Sequence, residues 1–77
     1  MAYVTVWCVQ TYRNQGRGLE RARLTSYGRP DLAMTDWVAA SGRVPAAAVY
    51  EIEVDAALRQ VGRVRLLSVH GPVPALA

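Results

Sequence analysis

Residues 48–55 (AVYEIEVD) alternate between two sets of side chains, and no other feature limits the possible folds as strongly. One set is Ala48, Tyr50, Ile52 and Val54, and the other is Val49, Glu51, Glu53 and Asp55. Because successive side chains of a strand point to opposite faces, the pattern predicts a strand with one face in a core and one in water. The chain is therefore expected to contain a sheet that is covered on at least one face.

A second strand is predicted for residues 3–12 (YVTVWCVQTY), which are rich in β-branched and aromatic residues. Apolar groups occupy both sets of alternate positions, so we expect a central strand that is covered, or partly covered, on both faces. Asn14, Gly16 and Gly18 follow within five residues and predict a turn that suits a β-hairpin.

Residues 19–27 (LERARLTSY) are compatible with a helix or a strand, and the preceding turn favours a strand. As a strand, this segment places Ala22 and Leu24 inward. The opposite row consists of Leu19, Arg21, Arg23, Thr25 and Tyr27.

Residues 32–41 (LAMTDWVAAS) have the apolar spacing of a helix. Asp31 is a suitable N-cap, since its carboxylate can accept free amide hydrogens of the first turn. Gly42 is placed for the C-cap, and Pro45 prevents continuation. The predicted buried side of this helix consists of Ala33, Met34, Trp37, Val38 and Ala40.

Residues 63–70 (RVRLLSVH) predict the last strand. Its two faces are predicted to carry Val64 and Leu66 on one side, and Arg63, Arg65, Leu67 and Val69 on the other. Before it, residues 56–61 are expected to form a short helical turn between a cap at Asp55 and a stop at Gly62. After it, two prolines remove ladder donors, so residues 71–77 are expected to be a flexible tail.

The predicted order of elements is β-β-α-β-β, within a single domain at residues 1–70 of the 77-residue chain. The sequence thus predicts a small α+β fold, with one helix packed on one face of a four-stranded antiparallel sheet. In size, architecture and lack of a motif the chain is similar to small phage-encoded inhibitors, anti-CRISPR proteins among them. This similarity implies an inhibitor or accessory protein that binds another macromolecule.

The charges are unevenly distributed, and all nine cations are arginines. Residues 1–29 carry five arginines and one acid, a net charge of +4, whereas residues 30–60 carry two arginines and five acids, a net charge of −3. Such asymmetry is typical of an interaction surface. The alternative is that the basic and acidic segments lie side by side and neutralise each other.

Five arginines and two aromatic residues are the predicted partner-binding residues: Tyr3, Trp7, Arg13, Arg17, Arg21, Arg23 and Arg29. If residues 3–12 and 19–27 pair, Arg21 and Arg23 project from one face of a hairpin. A Trp7 that faces away from the helix forms an exposed apolar stripe with Tyr3 and Val9, typical of an interface; otherwise Trp7 is a core residue. A protein partner is therefore predicted.

Nucleic acid is the alternative partner, because arginines beside aromatic rings suit phosphates and stacked bases. A solvated strand face without a specific role is the third interpretation of the arginine cluster.

No combination of residues predicts catalysis, a metal site or a cofactor. Glu51 and Glu53 are two residues apart, as are Arg63 and Arg65, which predicts cross-strand ion pairs rather than an acidic active site. Cys8 and His70 are too few ligands for a structural zinc, and no acid is evident to orient His70 as a base. We therefore predict a non-enzymatic binding protein.

The expected location is the cytoplasm. The single cysteine excludes an internal disulfide. No apolar run approaches the roughly 18 residues of a membrane span, and no secretory leader is evident. We expect a protein partner, either a second copy of the chain or another protein, and no membrane partner.

Overall fold

A computed structural model describes residues 3–55, 57 and 60–74. Four strands and one helix follow one another as β1 (Tyr3–Gln15), β2 (Gly18–Tyr27), α1 (Pro30–Ser41), β3 (Ala46–Asp55) and β4 (Gln60–His70). The strands form one antiparallel sheet in the order β2-β1-β3-β4. The predicted α+β fold and its β-β-α-β-β order are confirmed, and residues 19–27 lie in a strand.

The core lies between α1 and one face of the sheet. Val9 of β1, Ala33 of α1 and Val49 of β3 form its centre. The half-buried side chains of Trp7, Tyr27, Met34 and Trp37 pack against this centre. Two hydrogen bonds attach the helix to the sheet, from the Trp37 indole to the Ala47 carbonyl (3.2 Å) and from the Tyr27 hydroxyl to the Asp36 carboxylate (2.7 Å).

The helix begins earlier than predicted, at Pro30. Proline fits the first helical position because its fixed φ suits a helix and its missing amide hydrogen would have no partner there. Asp31 is therefore inside the helix and is not the N-cap; its carboxylate accepts from Arg29 at 2.9 Å. Gly42 occupies the C-cap as predicted. Val38, predicted to be buried, is 64% exposed.

The faces of β3 are the reverse of the prediction. Val49 lies under α1, while Ile52 lies on the opposite face of the sheet. Glu51 can lie on the helix side because its carboxylate accepts a hydrogen bond from the Trp7 indole (3.3 Å) and one from Arg65 (3.3 Å). Ala46 to Tyr50 are all buried, so both sets of alternate side chains in the first half of β3 are shielded from water.

A bulge in β2 changes which residues share a face. Thr11 pairs with Arg23 and Tyr12 pairs with Arg21, so Ala22 is the extra residue. The amide of buried Gln10 supports this bulge by donating to the Arg23 carbonyl at 3.0 Å.

Strand β4 contains similar irregularities. Val69 pairs with Ala48, and Leu66 pairs with Tyr50. Directly paired residues lie on the same face, so Val69 shares a face with Leu66 and Val64 rather than with Arg65. The prediction for Val69 is wrong because a register shift separates it from Leu66.

The connections are tighter than the sequence suggested. The first hairpin turns at Gly16 and Arg17 alone, with Gly16 at φ +58°, a conformation that glycine adopts without strain. Strand β4 already includes residues 60 and 61, so the helical turn predicted over residues 56–61 does not extend that far. Ala57 donates its amide hydrogen to the Asp55 carboxylate (3.0 Å), while residues 56, 58 and 59 lie outside the described residues.

Beyond β4, Gly71 has φ +73° and lies so close to Pro45 that an added Cβ would be 2.1 Å from the Pro45 carbonyl oxygen. The flexibility predicted for residues 71–77 is not tested, since residues 75–77 lie outside the described part. Within the described ranges no helix is long and apolar enough to cross a membrane.

Candidate functional site

Trp7 lies on the helix side of the sheet, packed against the core. Val9, the next residue on that side, is 1% exposed. The exposed stripe of Tyr3, Trp7 and Val9 considered above is therefore not present, because α1 covers this part of β1. Tyr3 is half exposed, and its ring lies beside Gly62 of β4, where an added Cβ would be 3.0 Å from it.

The clustered arginines do not share one surface. Arg21 lines a groove on the face opposite α1, whereas Arg23 lines a cleft on the helix side. The prediction that they project together is wrong, because the bulge at Ala22 places them on opposite faces. Arg13 and Arg29 form ion pairs with Glu20 and Asp31, respectively, and Arg17 lies in the turn. No observation here tests whether the seven predicted residues contact a partner.

The face of the sheet opposite α1, here called the open face, has an apolar surface that no described element covers. Leu24 and Val61 are the most exposed of its large apolar residues among those described, at 61% and 62%. Val64, Leu66 and Val69 of β4 lie on this face because they pair with Ile52, Tyr50 and Ala48 of β3, respectively. Its exposed apolar residues are Val4, Leu24, Val61, Val64, Leu66 and Val69. Exposed apolar surface of this kind is typical of interaction sites.

A shallow groove of about 250 Å³, here called the trough, crosses the open face. Its lining comes from all four strands: Gln10, Tyr12, Arg21, Leu24, Tyr50, Ile52, Val61 and Val64. Leu24 and Arg21 belong to one edge strand, Val61 and Val64 to the other. The trough therefore has exposed sides on the edge strands and a more buried floor on the central strands.

Two tyrosines lie at the Arg21 side of the trough. Burial and a hydrogen bond with Tyr12 raise the pKa of Tyr50, while the nearby Arg21 charge lowers it by a smaller amount. The Tyr50 hydroxyl therefore stays protonated at neutral pH, and the floor of the trough has no negative charge there.

The open face also differs in charge from the rest of the molecule. Among the described residues that strand pairing places on it, Arg21 is the only charged one. The β3 acids Glu51, Glu53 and Asp55 pair with Trp7, Thr5 and Tyr3 and lie on the other face. The ion pairs seen among the described residues join Arg13, Arg29 and Arg65 to acids and leave Arg21 out.

A second cleft of about 220 Å³ lies on the helix side, between the second half of α1 and strands β1 and β2. Arg23, Arg43, Thr11 and Thr25 contribute cations and hydroxyls to its lining, which is typical of an anion site. The Asp36 carboxylate and the C-terminal end of α1 lie in the same cleft, and both repel anions. The cleft is therefore a weaker candidate than the open face.

Sequence reasoning left the open face out of the predicted site, although a signal for it existed. Ile52, Val54, Val64 and Leu66 were all identified as apolar positions on strand faces. Ile52 and Val54 belong to the predicted core face of residues 48–55, whereas Val64 and Leu66 are predicted only to share one face of the last strand. Nothing in the sequence indicates that α1 packs on the other side.

Outside these features, the titratable side chains offer little chemistry. Cys8 is buried with its Sγ 3.4 Å from the Ser26 hydroxyl, and His70 Nε2 lies 3.3 Å from the Val44 carbonyl oxygen. In the described part of the chain, no group of three or more His, Cys, Asp or Glu side chains is placed to hold a metal ion. The predicted ion pair between Glu51 and Arg65 is present at 3.3 Å.

No protein-family model, curated protein or solved structure matches this chain. Function is therefore inferred from the residues and geometry of the chain itself.

Proposed function

We propose that this protein is a small, non-enzymatic module that acts by binding a protein partner through its open face. The observation that carries the proposal is the exposure of Leu24, Val61, Val64 and Leu66 together on one side of the sheet. A single-layer sheet face of this composition is normally buried against a second layer, because exposed apolar area is costly in water.

The composition of the open face suits a specific interface. Exposed apolar residues lie on both edge strands, Leu24 on β2 and Val61, Val64 and Leu66 on β4. Arg21 adds a cation beside them, and arginine is enriched at protein interfaces.

The proposal agrees with an inhibitor or accessory protein of the small phage-encoded, anti-CRISPR-like type, and it retains the cytoplasm as the predicted location. Of the seven residues predicted from sequence, Arg21 belongs to the proposed surface. Trp7 is assigned to the core. Tyr3 and the other arginines would lie outside the contact.

Site-specific photo-crosslinking tests the proposal. A photoreactive amino acid at Leu66, which is half exposed on the open face, is expected to give covalent protein adducts in cells that express the chain. Val38 is the matched control, since it is 64% exposed on α1, away from the sheet. Adducts at neither position, or equally at both, would contradict a protein partner on the open face. Circular dichroism of both variants checks that they are folded.

The second candidate function is nucleic-acid binding, favoured by Arg23 and Arg43 lining one cleft. Affinity for labelled single- and double-stranded oligonucleotides is then expected to fall by orders of magnitude between about 50 and 200 mM salt. No binding at the lower concentration would eliminate this alternative. The engagement of Arg13 and Arg29 with carboxylates makes it the weaker of the two.

A further inference from the structure

The trough allows the proposed function to be made more specific, and this inference depends on that function. We infer that the open face binds one amphipathic helix of a partner protein. The apolar stripe of that helix would lie along the open face with part of it over the trough, and a carboxylate beside the stripe would pair with Arg21. Shape, length and charge each support this occupant.

The width of the open face matches a single helix. Leu24 and Arg21 lie on edge strand β2, and Val61 and Val64 lie on edge strand β4. These edge strands are separated by three interstrand spacings, about 14 Å in total. An α-helix with its side chains is about 10–12 Å across. The open face is therefore wide enough for one helix that runs along the strands.

The length of the strands also suits a helix. Strands β2 and β3 have ten residues each. Ten residues of strand extend about 33 Å, which corresponds to roughly 20 residues of α-helix. The other face of the same sheet already carries α1, a helix of 12 residues, so a sheet of this size can accommodate one helix on a face.

Charge indicates which kind of helix binds. Arg21 lines the trough beside Tyr12 and Tyr50 without an acid among the described residues of this face. A buried contact would leave its guanidinium unpaired unless the partner supplies a carboxylate, and such a carboxylate can accept two hydrogen bonds from it. The partner helix is therefore expected to be acidic next to its apolar stripe.

A second copy of this chain is a poorer occupant. The open face of another copy presents the same concave trough and a second Arg21, with no acid on that face among the described residues. Two concave surfaces leave a void between them, and the atoms that line a void lose van der Waals contacts on both sides. The trough and its charge therefore favour a different protein over self-association.

Model peptides provide the experiment. The probe is a labelled peptide of about 18 residues with a leucine stripe flanked by glutamates, long enough to span roughly 27 Å as a helix. The comparison peptides have lysine flanks, or the glutamate composition in shuffled order without a stripe. Fluorescence anisotropy at one fixed salt concentration measures the affinity of each peptide for the full chain.

The expected result is a charge preference that Arg21 controls. The glutamate peptide should bind roughly threefold to fivefold more tightly than the lysine peptide, as for one partly exposed ion pair. Arg21→Glu should reverse this preference, and Arg21→Gln should abolish it. Arg17→Glu makes the same change in net charge at the turn and should leave the preference unchanged.

Three outcomes would overturn the inference. These are equal binding of the shuffled peptide, a preference that Arg17→Glu reverses as strongly as Arg21→Glu, and no binding of either striped peptide by the folded protein. Sedimentation that detects a dimer, which Leu66→Glu dissociates, would assign the face to a second copy instead. If adducts at Leu66 persist while the striped peptides fail, the helix is wrong and the protein-binding function stands. If the adducts are absent, the function itself fails.

Discussion

The two faces of the sheet come from alternate residues of the same strands, but they differ in the burial and the polar contacts of their side chains. Under α1, Val9 and Val49 are almost fully buried, and the Glu51 carboxylate there has partners in Trp7 and Arg65. On the open face, Tyr12 and Tyr50 of the central strands are buried, but Leu24 and Val61 of the edge strands remain more than half exposed. The difference indicates that the edge-strand residues of the open face contribute less to stability than Val9 and Val49 and are available for binding.

The largest expected effect comes from one substitution made on each face. Val9→Ala removes two buried carbons at the centre of the core and should lower the free energy of unfolding by about 2–3 kcal/mol. Val64→Ala makes the same chemical change on the open face, where the side chain is already partly in water, and should cost about 1 kcal/mol or less. Urea denaturation measures both. Equal losses would break the comparison between the faces.

The contribution of polar contacts on the helix side to stability is tested by substitutions of Glu51. Glu51→Ala removes the acceptor for the half-buried Trp7 indole and should cost about 1 kcal/mol, measured by thermal unfolding and by a change in tryptophan fluorescence. Glu51→Gln keeps an acceptor and should restore most of this loss. A Gln variant as unstable as the Ala variant would show that the charge pairing with Arg65 matters more than the indole hydrogen bond.

High pH is expected to weaken the fold through one tyrosine from each face. A hydrogen bond to Asp36, aided by burial, raises the pKa of Tyr27, and burial raises the pKa of Tyr50. The neutral hydroxyls are favoured in the folded state, so their stabilisation is complete below the ordinary tyrosine pKa of about 10 and is lost as pH rises through the folded values.

Ultraviolet titration of Tyr27→Phe and Tyr50→Phe assigns the two late-titrating groups. Each variant should lose one of the hydroxyls that ionise above the ordinary tyrosine range. A Tyr27 that ionises within that range would mean that its hydrogen bond to Asp36 does not persist in solution.

The smallest effect on stability is expected at Leu66 on the open face. Leu66→Gln should change the free energy of unfolding by no more than about 0.5 kcal/mol while reducing the binding of a dye that reports exposed apolar surface. Leu32→Gln on α1 is a control for a half-exposed leucine outside the open face. A large loss of stability in Leu66→Gln would mean that this face contributes to the core after all.

Local patterns predicted the elements well, because each depends on nearby residues. Gly42 occupies the C-cap of the helix and Gly16 lies in the turn of the first hairpin, both as predicted, although the helix starts two residues before the predicted residue 32. The faces were harder to predict, since β1 is apolar on both sides and either could have received α1. Tertiary contacts, such as Val9 on Val49 and Trp37 on the Ala47 carbonyl, decide that choice. The candidate site depends on the same choice and could not be located from sequence.

The bulge in β2 also determines how related sequences should be aligned with this one. Ala22 has no partner across the sheet, and Arg21 and Arg23 keep theirs on either side of it. A homologue that lacks this one residue would therefore preserve every cross-strand pair and both surfaces. Without the gap, its inward and outward side chains would seem to be exchanged on one side of this position. The residues before and after Ala22 therefore need to be aligned separately, and a gap here means a straighter strand rather than a rearranged sheet.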